Sequence, residues 1–225
     1  DIFKEMGELG FLGIDIPEEY GGLALDKTTS CIVVESLSSG RNASILVTMS
    51  AHTGIACLPI IWYGNKDQKK KYLPKLSSGE WMGAYALTEP NAGSDAGGME
   101  ANGQVFKGDD DKLYIKLNWN KRYITLAAIS TVIGLAFKLD DPENLLGKGE
   151  HLGITCALIP SETEGVELGK RHDPLGVPFY NCPVRGRDVV IPVDAIIGGR
   201  EGAGNGWRML MESLAVGRGI SLPAQ

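Results

Sequence analysis

The chain is poor in the residues that build metal centres and disulfide frameworks. Its 225 residues include four cysteines and three histidines. Cys31, Cys57, Cys156 and Cys182 form no CxxC, and His52, His151 and His172 lie far apart. That scatter argues against a zinc site and suits a reducing compartment. Positive charge is not in excess either. With Lys+Arg 22 against Asp+Glu 28 the net charge is -6, so no basic stripe is present to neutralise a nucleic-acid backbone. A nucleotide ligand stays open, since it needs only a few local donors. Low-complexity tracts are absent, and the uncharged stretch from Tyr123 to Phe137 is too short to cross a bilayer. The Gly-rich run ending Gly202-Ala203-Gly204-Asn205-Gly206 is GxGxG rather than GxGxxG, and no βαβ unit follows it, so a Rossmann site is not expected. No methionine opens the chain; it begins inside a helical pattern, and we expect sequence ahead of it.

What is present is ordinary globular material, 43% hydrophobic and 22% charged, enough to bury a good core. Residues 1–82 read as helices. Ile2, Phe3, Met6, Leu9 and Gly10 keep helical spacing up to a stop at Gly13. A second helix runs from Asp26 to Gly40. Ala43 to Ile61 is small and apolar, a helix buried on most sides, and carries His52 as a core or pocket-edge histidine. Lys66 to Leu73 forms a short charged helix that Pro74 closes, with the lysines at 69–71 on a solvated face. From Gly83 the texture changes to strands. Asn102-Gly103 and Gly108 to Asp111 are hairpin signals. Leu113 to Leu117 alternates, while Tyr123 to Ala127, Thr131 to Phe137, Ile154 to Ile159 and Val189 to Val193 read as further strands, the first three of these buried. Short strands between turn signals predict a small β-barrel or sandwich. A last helix from about Gly206 has an apolar face (Trp207, Leu210, Met211, Leu214) with nothing left to pack on, which implies further chain or a partner.

One stretch organises the rest: a short apolar run, Ala84-Tyr85-Ala86-Leu87, ends in Thr88-Glu89-Pro90 and opens into a loop containing Gly93, Ser94, Asp95, Gly97 and Gly98. Glycines there let backbone approach a ligand closely, and the hydroxyls of Thr88 and Ser94 stand at the rim. Such a strand end suits a planar, phosphate-bearing cofactor; a ligand-free Gly-Ser-Asp turn is the plain alternative.

The residues Ala86 to Asp95 closely resemble the first signature of the acyl-CoA dehydrogenase family, small-apolar-Thr-Glu-Pro-x-x-Gly-Ser-Asp. Gly13 to Gly22 resembles that family's helix-to-helix connection, and Tyr63 to Pro74 its helix leading into the flavin-binding strand. Lys121-Arg122-Tyr123-Ile124-Thr125 resembles its Lys-x-Trp-Ile-Thr, with tyrosine in place of tryptophan. Asn118 to Ala127 looks most like the large bacterial fatty-acid-degradation members. The resemblance implies an α+β chain: an N-terminal helical domain (1–82), an antiparallel β-barrel or sandwich middle domain that binds flavin (83–197), and the start of a truncated C-terminal helical domain (198–225).

The resemblance further implies FAD held by Tyr85, Leu87, Thr88, Gly93, Tyr123, Ile124 and Thr125. Ser94 would touch the CoA arm of an acyl-CoA substrate. Arg218 would lie near the substrate pocket, against the reading of a helix-surface charge. The implied reaction is α,β-dehydrogenation in fatty-acid β-oxidation, on medium to long acyl chains. Electron-transferring flavoprotein would take the electrons in a cytoplasmic homo-oligomer (dimer or tetramer), associated with the inner membrane only through regions outside this chain. No catalytic base is expected within the chain. Glu89 and Asp95 belong to the cofactor loop, where anchoring backbone amides is their expected task, and the position before Arg218, where some members carry the base, is Gly217. The base is expected in the C-terminal domain. Leu175 to Pro183 departs from the common family pattern. Two rivals stand beside this reading: an acyl-CoA oxidase or flavin monooxygenase of the same fold, and a non-catalytic binding module.

Overall fold

The computed structural model describes residues 2–221 and 223. The helical part comprises α1 (Ile2–Glu8), α2 (Lys27–Ser38), α3 (Ala43–Ser50), α4 (Leu58–Tyr63) and α5 (Lys66–Ser77), with a π-turn over Ala51–Ala56 joining α3 to α4. Three of the starts have a side-chain cap. Asp26 and Asn42 cap α2 and α3 by accepting from Thr29 and Ile45 amides. Asn65 and Gln68 form a reciprocal capping box on α5. Gln68 also donates to the carbonyls of Asp194 and Ile196 and accepts from the Gly198 amide, which ties α5 to the far end of the sheet.

Three local expectations change. α1 ends at Glu8, and Gly10, at φ +82°, makes the turn; Gly13 is needed instead for close packing, because a Cβ there would lie 2.3 Å from Ser77 Oγ. α5 passes through Pro74 to Ser77. The proline is exposed, and the apolar row Tyr72, Leu73, Leu76 continues on the other side of the helix, so burial of that row outweighs one missing hydrogen bond. Ala43–Tyr63, not Tyr123 to Phe137, is the long uncharged stretch. By length and composition it is able to cross a membrane, yet half of it is buried against the rest of the chain.

Seven strands follow: β1 (Gly83–Ala86), β2 (Asn102–Lys107), β3 (Leu113–Thr125), β4 (Val132–Asp140), β5 (His151–Pro160), β6 (Val166–Leu168) and β7 (Asn181–Pro192). Their order is β1-β4-β2-β3-β7-β6, with β5 on β4. The expected order of helices then sheet is found, but the sheet is mixed rather than antiparallel. β1 and β2 both pair parallel with β4, at Gly83–Ala86 against Val132–Leu135 and at Asn102–Gln104 against Lys138–Asp140. They lie in succession along β4, and residues 87–101 leave the sheet between them and return. The signature loop is therefore an excursion from one strand line. Asn102-Gly103 is no hairpin; it opens β2, where a Cβ on Gly103 would sit 2.6–2.9 Å from Leu117, Ile115 and Phe137. The Gly108 to Asp111 hairpin forms as expected, between β2 and β3.

β4 is buried on both faces, so it reads as a continuous apolar run. Its Ile133, Leu135 and Phe137 join Ile115, Leu117, Trp119, Val184 and Ile191 in the core inside the curled sheet. Its Val132 and Ala136 join Tyr85, Cys156 and Leu158 in a second core, shared with α4, α5 and the final helix α6 (Gly206–Val216) through Ile60, Leu73, Met209 and Leu210. We call these the inner and outer faces. A third small core lies among α1, α2 and α3, from Met6, Val34, Leu46 and Met49.

Candidate functional site

The two signature segments meet at the ends of β1 and β3. Backbone joins them first: the Arg122 amide donates to the Thr88 carbonyl at 2.8 Å. Side chains then lock them. Lys121 continues the inward row Ile115, Leu117, Trp119 on β3, and its side chain is 0% exposed. Its ammonium donates to Glu89 Oε1 at 2.7 Å and to the Leu87 carbonyl at 3.0 Å. Glu89, 3% exposed, also accepts from the amides of Glu100 at 2.6 Å and Ala101 at 3.0 Å. Glu89 thus staples the point where the loop leaves β1 to the point where it returns as β2, the amide-anchoring task expected of it. Burial alone would raise its carboxyl; the Lys121 ammonium and the two amides outweigh burial and hold it below the usual range. Asp95 likewise anchors an amide, that of Gly98, at 3.2 Å.

Immediately after Lys121 the ladder slips. Lys121 opposes Val184 but Ile124 opposes Cys182, so one extra residue is inserted in β3. Tyr123 takes it up at φ +60°, a region uncommon for a bulky side chain. The bulge turns both Arg122 and Tyr123 outward while Lys121 and Ile124 stay inward. Tyr123, expected in a buried strand, is therefore 54% exposed. The Arg122 guanidinium lies 4.8 Å from its ring centroid, and the His172 ring, tilted against it, 5.1 Å away. Asn181 secures this arrangement by donating to the Tyr123 carbonyl at 3.3 Å and meeting His172 Nδ1 at 2.8 Å. Positive φ, a bulge and an exposed aromatic on one residue are the signature of a side chain aimed at something outside the fold.

The other expected residues are placed unevenly. Thr88 and Thr125 are half-buried, and their hydroxyls make no hydrogen bond to the described residues. Ile124 is buried in the inner core, so it supports the wall from behind. Leu87 packs at the edge of the outer core. Tyr85 is buried there too, its ring over Gly134, where a Cβ would come within 2.6 Å. The Tyr85 hydroxyl is buried without a hydrogen-bond partner, close to the Cys156 thiol but in no good bonding geometry. Burial raises that hydroxyl well above its usual range and pushes the thiol up to about 12. Gly93 and Ser94 are exposed on the loop. Arg218 is exposed in the π-turn Gly217–Ser221 after α6, and no hydrogen bond or ion pair joins it to either signature segment. His52 is a satisfied core residue. Its Nδ1 accepts from the Gly83 amide at 3.2 Å, which leaves Nε2 to donate to the Leu76 carbonyl at 2.9 Å. Among the described residues no group of three or more His, Cys, Asp or Glu is placed to hold a metal.

Sequence reasoning gave no site role to Lys121, His172 or Asn181. Lys121 carried a detectable signal, a lysine on the inward beat of an alternating strand. His172 carried none, because only the return of residues 170–181 beside β3 brings it to Tyr123.

The model of the acyl-CoA dehydrogenase N-terminal domain matches residues 1–80, and that of the acyl-CoA dehydrogenase middle domain matches residues 84–189. An acyl-CoA dehydrogenase of Bacillus subtilis is 34% identical over 224 residues, 100% of this chain and 55% of that protein. The human mitochondrial short-chain specific acyl-CoA dehydrogenase is 35% identical over 216 residues, 96% of this chain and 49% of that protein. A solved acyl-CoA dehydrogenase of Bacillus anthracis, complexed with FAD, superposes with a TM-score of 0.85 at 34% identity, over 99% of this chain and 36% of its own. The chain spans about half the length of the two curated relatives. On the matched domains and these relatives together, it belongs to the acyl-CoA dehydrogenase family.

Proposed function

We propose that this chain forms the FAD-holding part of an enzyme that dehydrogenates fatty acyl-CoA to trans-2-enoyl-CoA. The observation that carries the reading is the outward bulge at Arg122–Tyr123, set beside the Thr88 strand end. The residues present suit a flavin on three counts. Tyr123 offers an aromatic face or edge to a planar ring, and among the described residues neither the two threonine hydroxyls near the wall nor the buried Tyr85 hydroxyl has a hydrogen-bond partner. Bound FAD would supply the hydride acceptor. Thr88 and Thr125 would donate to polar atoms of the ring, Leu87 and Ile124 would back it with apolar surface, and Gly93 and Ser94 would border the CoA arm. Tyr85, buried against Gly134 in the outer core, would contribute from behind the wall. Glu89 is not the base that takes the substrate α-proton, because both its oxygens are occupied; that proton acceptor would come from elsewhere in the enzyme.

The finer parts of the reading are proposals of the same kind: medium to long acyl chains, a role in β-oxidation, electron-transferring flavoprotein as acceptor, a cytoplasmic homo-oligomer, the division at residues 82/83 and 197/198, and Arg218 at the substrate pocket. The test is anaerobic mixing of the FAD-loaded protein, as its gene encodes it, with acyl-CoA of graded chain length. Bleaching of the oxidised flavin band with formation of enoyl-CoA is expected. Absence of bleaching with every acyl-CoA would contradict the reading. Fast reoxidation by oxygen with peroxide release would favour the oxidase instead.

A further inference from the structure

The buried Lys121–Glu89 pair is an unusual use of charge. An ion pair in a protein interior is seldom the cheapest filling for its site, since apolar residues of similar volume often serve stability as well or better. Its retention calls for something that apolar residues do not supply, and the geometry shows what this pair adds. Lys121 is the last residue of β3 before the ladder slips, and its ammonium grips the Leu87 carbonyl at 3.0 Å and Glu89 Oε1 at 2.7 Å. Glu89 in turn grips the two amides, of Glu100 and Ala101, where the loop re-enters the sheet. A one-residue slip of β3 would send Lys121 outward and reverse the faces of its neighbours. With Glu89 buried opposite, that slip would strand a carboxylate without its cation.

We propose that Lys121 and Glu89 are positioning residues for the flavin wall: together they fix where the β3 bulge falls, and hence how Tyr123 and Thr125 stand relative to the Leu87–Thr88 strand end. This rests on the flavin reading above. Neither side chain touches the ligand; both act through the backbone of residues 87–88 and 122–125.

The test compares wild type, Lys121→Met and the double variant Glu89→Gln/Lys121→Met, all in the protein as its gene encodes it. Thermal stability, the FAD dissociation constant and the visible circular dichroism of bound flavin are measured. Lys121→Met leaves a lone buried carboxylate and should melt far below wild type. The double variant removes both charges and should recover most of that stability, yet bind FAD about tenfold more weakly, because the wall is no longer held in register, with altered flavin dichroism. A double variant that regains stability and matches wild type in affinity and dichroism would make the pair a fold element alone and overturn the proposal. Should the double variant not fold, Lys121→Arg, which keeps the charge and changes its reach, decides: wild-type melting with altered dichroism supports positioning, and unchanged dichroism contradicts it. Failure of wild type itself to bind FAD would contradict the flavin reading, a separate result.

Discussion

The two signature segments meet at one place and treat their side chains in opposite ways. The first, around Thr88-Glu89-Pro90, turns its charged residue inward: Glu89 is buried and spends every oxygen on the chain itself. The second, around Arg122-Tyr123, turns its large residues outward through a bulge that costs backbone strain. The difference separates scaffold from surface within motifs that look equally functional on paper. A carboxylate in a cofactor loop need not be chemistry, and an aromatic in an apolar stretch need not be core. Burial and hydrogen-bond occupancy decide which is which.

Four substitutions or conditions press on that contrast. The largest effect belongs to the scaffold side. Glu89→Ala leaves the Lys121 ammonium buried and unpaired, at a cost of about 3–5 kcal/mol, read from the urea midpoint.

The next effect tests the opposite, starting end of β1, where Gly83 meets the helices. His52 sits behind Gly83 in one neutral tautomer, and burial depresses its pKa to about 4 from 6.5. The unfolded chain therefore takes up a proton that the fold refuses as pH drops below 6.5. Folding stability should fall by about 3 kcal/mol between pH 6.5 and pH 4 from this group. Glu89 acts separately: its folded pKa lies below the ordinary 4.5, so its contribution is present above that value and is lost as pH falls through the lowered one. His52→Gln should flatten the first limb and leave the second.

Gly134→Ala presses a methyl to within 2.6 Å of the Tyr85 ring; overpacking of this kind costs about 1–3 kcal/mol, measured by thermal melting. The smallest effect is on the outward side. Tyr123→Gly relieves the positive φ and loses an exposed ring, so stability should stay within about 0.5 kcal/mol of wild type, while FAD affinity falls. A large loss of stability would mean that Tyr123 is core after all.

Much of this was legible in the residues. The helical beginning and the change of texture at Gly83 follow from apolar spacing and turn chemistry, and the amide-anchoring role of Glu89 follows from the family resemblance. What was not legible depended on pairing partners far away in sequence. Asn102-Gly103 has the local look of a turn, but Gly103 is there because Phe137 and Leu117 leave no room for a side chain. Alternation places Lys121 correctly on the inner face and then fails at once, because an inserted residue shifts the beat. The unshifted beat would put Tyr123 in the interior. The parallel pairing of β1 and β2 with β4 was equally hidden, since it arises only when the excursion over residues 87–101 rejoins the same line.

The contrast between the segments is tested most directly by titrating FAD into wild type, Tyr123→Ala and Thr125→Ala while following flavin fluorescence. The account predicts saturable quenching by wild type, and weaker binding by both variants at unchanged melting temperature. Equal affinity in all three would contradict the assignment of the outward bulge as the flavin wall.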